Sequence, residues 1–300
     1  MRHSTLSVLA LGATLGLLPL PSSADTTPYR IGVLAKNGPA KAVTMWKATA
    51  DYLSQKLPGR SFEVVPLDWG EVLPAVQQDK VSFFLTNSSM YVTAEKDLGA
   101  KAVATMVNAR QGKALNAFGG VIFTRANNSA VSSLADLKGK SFMAVDKTSF
   151  GGWQMAYKEL LDAGVDPNSA FTRLDFGGKH ENVVLAVLNG AADAGTVRTD
   201  TLERMAAEGA VDLAEVKVLN PKSHEGFPFL CSTALYPEWP LAKTKGTPED
   251  VAQAVAKALM AMGADAKAAQ DASVAGWSAP QDYAPVEKLK GVLPAGLASN

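Results

Sequence analysis

Residues 141–167 read SFMAVDKTSFGGWQMAYKELLDAGVDP, and this stretch contains the unit from which the fold follows. Its first five residues, SFMAV, have the length and apolar character of a buried strand. A polar loop with Gly151 and Gly152 comes next, and apolar residues at helical spacing fill residues 153–165. The stretch therefore predicts a strand, a loop and a core helix, which is half of a βαβ unit.

The same alternation of strand and helix runs through most of the chain, in two sets. Alternating strands and helices predict an α/β fold with mainly parallel sheets, here as two Rossmann-like lobes. The first set has strands YRIGVLA, SFEVVPL, VSFFL and KAVATMV with helices near residues 43–57, 71–78 and 91–99, and the second has strands GGVIFTR, SFMAV, FTRLDF, AADAGTV and EVKVLN with helices near 132–140, 153–165, 180–189 and 199–208.

The last 80 or so residues are too few for a third lobe. Thr247 and Asp250 resemble a capping box around Pro248 at the first helical position. One face of the following helix carries four apolar side chains, which predicts packing against the first lobe. Those side chains are Val251, Val255, Leu259 and Met262.

A return of the chain to the first lobe implies two crossovers between lobes. We expect them near residues 108–120 and 218–228, where they would form a hinge. Lobe 1 would then contain residues 25–117 and 222–300, and lobe 2 residues 118–221. Open α/β sheets bind ligands at the carboxyl ends of their strands, so the cleft between the lobes is the expected site.

The N-terminus predicts export. Arg2 and His3 precede an apolar run at 6–20, and PSSA at 21–24 provides small residues ahead of a cleavage point before Asp25. Residues 1–24 are therefore interpreted as a signal peptide, too short in its apolar part for a membrane span. The mature chain is expected in the periplasm.

Composition excludes several classes of protein. The formal net charge is zero, which gives no sign of a nucleic-acid partner. The single cysteine allows no internal disulfide, and the three histidines form no metal motif, so we expect neither metal nor cofactor. No nucleophile motif of a hydrolase occurs.

Polar or aromatic side chains follow several predicted strands. Helix N-termini and hydroxyl groups there would suit an oxyanion, glycine would allow close approach, and arginine would add a fork of donors. The candidate ligand-binding residues are Trp69, Thr86, Asn87, Ser88, Tyr91, Thr148, Ser149, Gly151, Gly152, His180, Arg198, Thr199 and Cys231.

Several of these candidates also have a structural explanation. A hydroxyl residue before a helix is commonly an N-cap. Arg198 could pair with Asp200 or Glu203 on the surface, His180 could be simple charge placement at a helix start, and Cys231 could be a buried, inert thiol.

The chain resembles the phosphonate-binding (PhnD-like) periplasmic solute-binding proteins, which have the type II periplasmic binding protein fold. Within that family it is similar to the sensor branch, with tetrathionate-sensing and arsenite-binding proteins. The resemblance covers the mature chain and is carried by RIGVLA, FFLTNSSMYV, the segment SLADLKGKSFMAVDKTSFGGWQMAYKELLDAGVDP, DAGTVRTDTLE and STALYPEWPLAK.

The resemblance implies a loop at residues 148–152 that contacts an oxyanion, aromatic contacts from Tyr91 and Trp69, and a histidine, His180, near the ligand. Because this loop departs from the Ser-Thr-Ser-Gly pattern of phosphonate binders, a sulfur oxyanion is as well supported as phosphonate.

The expected function is capture of a small oxyanion by a monomer without enzymatic activity, for a membrane sensor histidine kinase or an ABC permease. Two alternatives remain open at this point. In one, Cys231 binds a thiophilic oxyanion such as arsenite, and in the other the chain is a secreted hydrolase that uses His180 or His224 as a base.

Overall fold

The computed structural model describes Met1 and residues 27–298. The predicted signal peptide at residues 1–24 lies, apart from Met1, outside the described residues. The strands are β1 Tyr29–Leu34, β2 Phe62–Leu67, β3 Phe83–Leu85, β4 Lys101–Arg110, β5 Lys113–Leu115, β6 Ala117–Phe118, β7 Gly120–Arg125, β8 Ser141–Ala144, β9 Arg173–Phe176, β10 Ala194–Arg198, β11 Val216–Leu219, β12 Tyr236–Pro237, β13 Pro240–Lys243 and β14 Val274–Ser278.

Helices alternate with most of these strands. The α-helices are α1 Pro39–Lys56, α2 Val72–Gln77, α3 Ser88–Leu98, α4 Met155–Asp162, α5 His180–Leu188, α6 Thr201–Ala207, α7 Glu249–Met260, α8 Lys267–Ala272, α9 Ala284–Lys290 and α10 Ala295–Ala298.

The strands form two separate sheets, one in each lobe. Lobe 1 has the order β14-β4-β13-β3-β1-β2, with β5 paired to β4, and lobe 2 has the order β11-β7-β10-β8-β9. Both sheets are mixed, because β13, β14, β7 and β11 pair in antiparallel fashion with their neighbours. The expectation of mainly parallel sheets is therefore wrong. The strands that follow a crossover between lobes enter their sheet in the reverse direction.

The two crossovers lie side by side as a short ribbon. β6 pairs with β12 in antiparallel fashion, Phe118 opposite Tyr236 and Ala117 opposite Pro237. The second crossover comes later than residues 218–228, because Ser232 is hydrogen-bonded to Gly120 and Ile122 of lobe 2. We infer from these contacts that the chain returns to lobe 1 after Ser232.

The C-terminal helices pack on lobe 1, as the apolar face predicts. Val251, Val255, Leu259 and Met262 are all buried, and α7 contacts β4 and α1. The predicted capping box is wrong: α7 begins at Glu249, and no side-chain cap bond is made. The Thr247 hydroxyl donates instead to the carbonyl of Ser82.

One local prediction also fails, and one predicted helix starts in an unexpected way. The short helix expected near 132–140 is a single 3-10 turn, Ala135–Leu137. The helix predicted at residues 153–165 begins as one π-turn, Phe150–Gln154, and α4 continues it. Trp153, Tyr157 and Leu160 lie buried on its inner face, as helical spacing predicts.

Candidate functional site

A charged pocket lies between the lobes, where several strands end. Lys36 follows β1, Arg110 ends β4, and Asp200 follows β10. His180 opens α5 on the opposite wall, and all four residues line a cavity of about 410 Å³. The ends of strands from both lobes therefore meet at one pocket, which we call the charged pocket.

A buried network of ion pairs lies next to this pocket. The guanidinium of Arg198 makes a bidentate pair with the carboxylate of Glu238, through Nη2–Oε1 and through Nη1–Oε2 at 3.2 Å. Asn108 Nδ2 also donates to Glu238 Oε1 at 2.5 Å. Arg110 Nε donates to Asp200 Oδ2 at 2.5 Å, which joins the lobes a second time. Arg198 and Glu238 are 5% and 0% exposed, so the network is shielded from water.

Burial and charge act in opposite directions on this network. Burial alone would lower the pKa of Arg198, but the attraction of Glu238 and Asp200 outweighs it and raises that pKa. Burial alone would raise the pKa of Asp200, and the cations of Arg198 and Arg110 lower it instead. Both groups are therefore charged and mutually neutralised.

The surface pairing considered for Arg198 is therefore wrong. Its pairs with Glu238 and Asp200 are inside the protein, and its Cζ lies 4.2 Å from the centroid of the Phe118 ring. Phe118 belongs to the crossover strand β6, so Arg198 binds lobe 2 to the ribbon that joins the lobes.

Lys36 is a partly buried cation of the pocket, and it lacks a carboxylate partner. Among the residues that the structure describes, no carboxylate oxygen lies within 4 Å of its Nζ, and that atom lies 5.1 Å from the centroid of the Trp239 ring. Burial, followed by repulsion from Arg198, lowers the pKa of Lys36 from 10.5 to about 7, although Asp200 and Glu238 oppose that shift. An anion bound at this ammonium would relieve the penalty.

His180 offers a neutral hydrogen-bond donor to the same pocket. The backbone N–H of Arg198 donates to His180 Nδ1 at 3.2 Å, so the ring proton resides on Nε2. Burial, followed by repulsion from Lys36 and Arg198, holds the pKa of His180 well below 6.5. His180 lines the charged pocket.

The hydroxyl-rich loop at residues 148–152 uses most of its polar groups within itself. Ser149 Oγ caps the helix by accepting from Gly152 N at 3.2 Å. Thr148 donates through its N–H and its hydroxyl to Asp146 Oδ1. Ser149 is 2% exposed, and Thr148 alone of this loop lines a cavity of the cleft.

The two glycines of this loop are required by packing. A Cβ on Gly152 would lie 2.5 Å from Val145 Cγ2, and one on Gly151 would lie 3.0 Å from the Phe118 ring. Close packing within lobe 2 therefore explains Gly151 and Gly152, and no ligand is needed to account for them.

The residues after β3 join the lobes. Asn87 Oδ1 caps α3 by accepting from Ser89 N and Met90 N, and its Nδ2 donates to the carbonyl of Thr148 at 3.1 Å. Ser88 Oγ donates to the carbonyl of Pro237, and Thr86 Oγ1 contacts Met90 Sδ. Thr86, Asn87 and Ser88 thus all have polar contacts within the protein.

Trp69 lies at a second opening of the cleft. Its Nε1 donates to the carbonyl of Gly178 in lobe 2 at 3.1 Å. Trp69, Phe176 and Thr148 line a cavity of about 620 Å³ at this opening. The predicted residues Trp69 and Thr148 thus lie apart from His180 and Arg198, on another side of the cleft.

Three predicted residues face away from both cavities. Tyr91 packs its ring against Tyr283 at 4.8 Å, and its hydroxyl donates to Glu95 Oε1 within lobe 1. Thr199 Oγ1 accepts from Gly119 N and fastens β10 to the crossover. The thiol of Cys231 is buried against the carbonyls of Gly120 and Thr233.

Burial raises the pKa of the Cys231 thiol, which disfavours the thiolate that a soft ligand requires. The interpretation of Cys231 as a buried, inert thiol accounts for these contacts.

Sequence reasoning missed Lys36, Arg110 and Glu238. Lys36 and Arg110 stand at the carboxyl ends of β1 and β4, so the rule used for the other loops could have found them. Glu238 lies between Pro237 and Trp239, where sequence pattern gives no sign of a buried charge.

Two kinds of feature are absent from the described residues. Residues 27–298 contain no group of three or more His, Cys, Asp or Glu side chains placed to hold a metal ion. In the same part of the chain no helix has the length and apolarity to cross a membrane.

Comparison with solved structures identifies the fold. The binding protein component of a phosphonate ABC transporter from Pseudomonas aeruginosa superposes with a TM-score of 0.72 at 18% identity, over 92% of this chain and 93% of that one. PhnD1 from Prochlorococcus marinus in complex with methylphosphonate gives 0.70 at 14% identity, over 88% and 97%. The predicted type II periplasmic binding protein fold is confirmed.

Comparison of sequences identifies the relatives. The tetrathionate sensor histidine kinase TtrS of Salmonella typhimurium is 34% identical over 290 residues, which cover 96% of this chain and 47% of that protein. The chain thus spans about half the length of that curated relative. A family model described as "ABC transporter, phosphonate, periplasmic substrate-binding protein" matches residues 31–284. Because that match covers most of the chain, the protein belongs to the family of phosphonate-type periplasmic substrate-binding proteins, which bind ligands and are not enzymes.

Proposed function

We propose that the protein captures a small oxyanion in the periplasm between its two lobes and presents the closed form to a membrane partner. The observation that carries this proposal is the ammonium of Lys36, which lies in the charged pocket without a carboxylate partner among the described residues. A partly buried cation without a counter-ion is costly, and a bound anion would offset that cost.

The charge balance of the site supports an anionic ligand. Lys36, Arg110 and Arg198 provide three positive charges, and Asp200 and Glu238 provide two negative ones. Arg110 and Arg198 pair with the two carboxylates, so the unpaired charge of these five residues is that of Lys36, and the exposed Lys41 adds a further cation to the pocket. The Nε2–H of His180 would add a directed donor to an oxygen of the ligand.

Contacts across the cleft support a function that depends on lobe closure. Trp69 donates to Gly178, Asn87 donates to Thr148, and Arg110 pairs with Asp200, each across the boundary between the lobes. The paired strands β6 and β12 are the ribbon about which the lobes would rotate. A ligand held by Lys36 and His180 would contact both lobes and favour the closed form.

The relatives point to the class of ligand and partner. One curated relative is a tetrathionate sensor kinase, and one structural relative holds methylphosphonate. We therefore include sulfur and phosphorus oxyanions among the candidates. Given the sensor relative, we favour a membrane sensor histidine kinase as the partner over an ABC permease. The signal peptide at residues 1–24 and a monomeric state remain part of the proposal.

A panel of oxyanions tests the proposal. Sulfate, thiosulfate, tetrathionate, phosphate and methylphosphonate are screened by thermal shift, and the affinity of those that stabilise is measured by calorimetry. Lys36→Met should weaken binding by about 10- to 150-fold, the range for a charge-assisted hydrogen bond of ~1.5–3 kcal/mol. Lys47→Met is the matched control, because Lys47 lies on α1 and pairs with Asp51 in solvent.

If none of these anions binds, the proposal is contradicted. If the Lys36→Met and Lys47→Met proteins bind the anion with equal affinity, Lys36 is not part of the binding site.

A further inference from the structure

A narrow apolar cavity opens beside the ammonium of Lys36. It lies under α1 and is walled by Ala42, Met45 and Trp46 of that helix, Met106 of β4, Trp239 and Ala272. Except for Met45, which is half-buried, these wall residues are at most 8% exposed. We call this cavity the α1 slot.

The α1 slot is continuous with the charged pocket. Lys36, Asn37, Lys41, Met45 and Arg110 line both cavities. The polar members of this set stand at the boundary between the two, and beyond them lie the apolar walls together with the buried side chain of Asn108. A molecule with its charged end at Lys36 could therefore extend an apolar end under α1.

The size of the α1 slot limits that apolar end. Its volume is about 40 Å³ when measured as space for the centres of water-sized groups. A single water needs about 10–15 Å³ on this measure, so the slot has room for about three groups of that size. Thioether and indole walls are polarisable and pack well against carbon or sulfur.

We propose that the α1 slot is a second subsite, which receives a short apolar substituent of the bound oxyanion, a chain of two or three carbon or sulfur atoms. This inference rests on the proposed function, because it takes the oxyanion itself to bind at Lys36. It assigns the specificity for the substituent to α1, Met106 and Trp239, and thus to lobe 1 alone.

A homologous series of ligands tests the subsite. Calorimetry compares sulfate with methane-, ethane-, propane- and hexanesulfonate, and phosphate with the matching alkylphosphonates. Affinity should rise about four-fold with each methylene through propyl, the equivalent of ~0.8 kcal/mol per methylene. It should then fall for hexyl, which exceeds the slot.

Two variants change the volume of the slot in opposite directions. Ala42→Leu should reduce the ratio of propanesulfonate to methanesulfonate affinity, two ligands of equal charge, to near one, and Met45→Ala should move the optimum to a longer chain. Ala48→Leu is the matched control, because Ala48 is partly buried on the same helix and does not line the slot. It should leave the ratio unchanged.

The outcomes separate this inference from the proposed function. If sulfate or phosphate binds at Lys36 but affinity is independent of chain length, or the Ala42→Leu ratio equals that of Ala48→Leu, the subsite is overturned and the oxyanion site remains. If no member of either series binds, the proposed function fails and the subsite fails with it.

Discussion

Arg198 and Glu238 form a buried bidentate ion pair across the boundary between the lobes. Arg198 ends β10 in lobe 2, and Glu238 follows β12 at the point where the chain re-enters lobe 1. Glu238 also accepts from Asn108 of β4, so a single carboxylate connects three segments. This ion pair therefore holds the second crossover against lobe 2 at the cleft.

Removal of the Glu238 charge should destabilise the protein severely. In Glu238→Gln the guanidinium of Arg198 would keep only Asp200, whose Oδ1 lies 3.5 Å from Nε. Breaking a buried ion pair from one side costs about 3–5 kcal/mol of unfolding free energy. Urea denaturation measures the loss.

Glu63→Gln provides the control for this substitution. Glu63 pairs with Arg30, and both side chains are about half exposed, so its loss should stay within about 1 kcal/mol. Equal losses in the two variants would show that the Arg198–Glu238 pair contributes nothing beyond a surface pair.

Two substitutions of Asn87 should separate helix capping from lobe closure. Asn87→Asp keeps the cap on α3, since aspartate is an equally good N-cap, but it places a carboxylate against the carbonyl of Thr148. We expect a more open protein, seen as a larger radius of gyration by X-ray scattering, with little change in the melting temperature.

Asn87→Ala should lose both the cap on α3 and the hydrogen bond to the carbonyl of Thr148. The loss of the cap should cost ~1 kcal/mol in addition to opening the cleft. A compact Asn87→Asp protein, indistinguishable from wild type by scattering, would mean that the bond to Thr148 does not hold the lobes together.

His180 should remain neutral in the folded protein at pH values where an ordinary histidine is charged. Burial and the nearby cations lower its pKa well below 6.5, while an unfolded histidine takes up a proton near that value. This site therefore contributes stability above about pH 6.5 that is lost as the pH falls. Ring nitrogen-15 NMR should show the Nε2–H tautomer at about pH 6, and a protonated ring at that pH would contradict the assigned hydrogen bond.

Cys231→Ala should leave oxyanion affinity unchanged. The thiol lies against the carbonyls of Gly120 and Thr233, and its pKa is raised by burial. Calorimetry with sulfate and with arsenite compares the variant with wild type. Loss of arsenite binding in the variant alone would restore the thiol hypothesis.

The sequence predicted the fold better than the site, for a physical reason. Apolar spacing is a local property, and it correctly placed Val251, Val255 and Leu259 against lobe 1. Tyr91 was expected in the cleft because it follows a strand end closely. Three residues into α3, however, helical rotation turns its ring toward Tyr283 in lobe 1.

The ion pairs of the site could not be predicted from the sequence. Arg198 and Glu238 are 40 residues apart, and only the ribbon of β6 and β12 brings them together. A lysine after a strand is usually solvated, so the sequence alone does not single out Lys36. Its significance depends on where the carboxylates of Asp200 and Glu238 lie, and both are already paired with arginines.

Oxyanion affinity should therefore depend steeply on pH through Lys36. With a pKa of about 7 in the free protein, Lys36 is mostly charged at pH 6 and about 1% charged at pH 9. If the anion binds the ammonium form, the apparent dissociation constant rises about ten-fold per pH unit above 7. Sulfate is a suitable ligand for calorimetry from pH 6 to 9, because its own charge is constant there.

The stability of the ligand-free protein should change in the opposite sense. Between pH 7 and 10.5 an unfolded lysine keeps a proton that folded Lys36 has lost, so folding stability rises with pH in that window. Lys290, whose pKa is lowered to about 8 by burial, contributes with the same sign. The difference between wild type and Lys36→Met isolates Lys36, and it should shrink as the pH rises from 7 to 10. A difference that is constant across this range, together with sulfate affinity that is independent of pH, would mean that Lys36 keeps an ordinary pKa and is solvated.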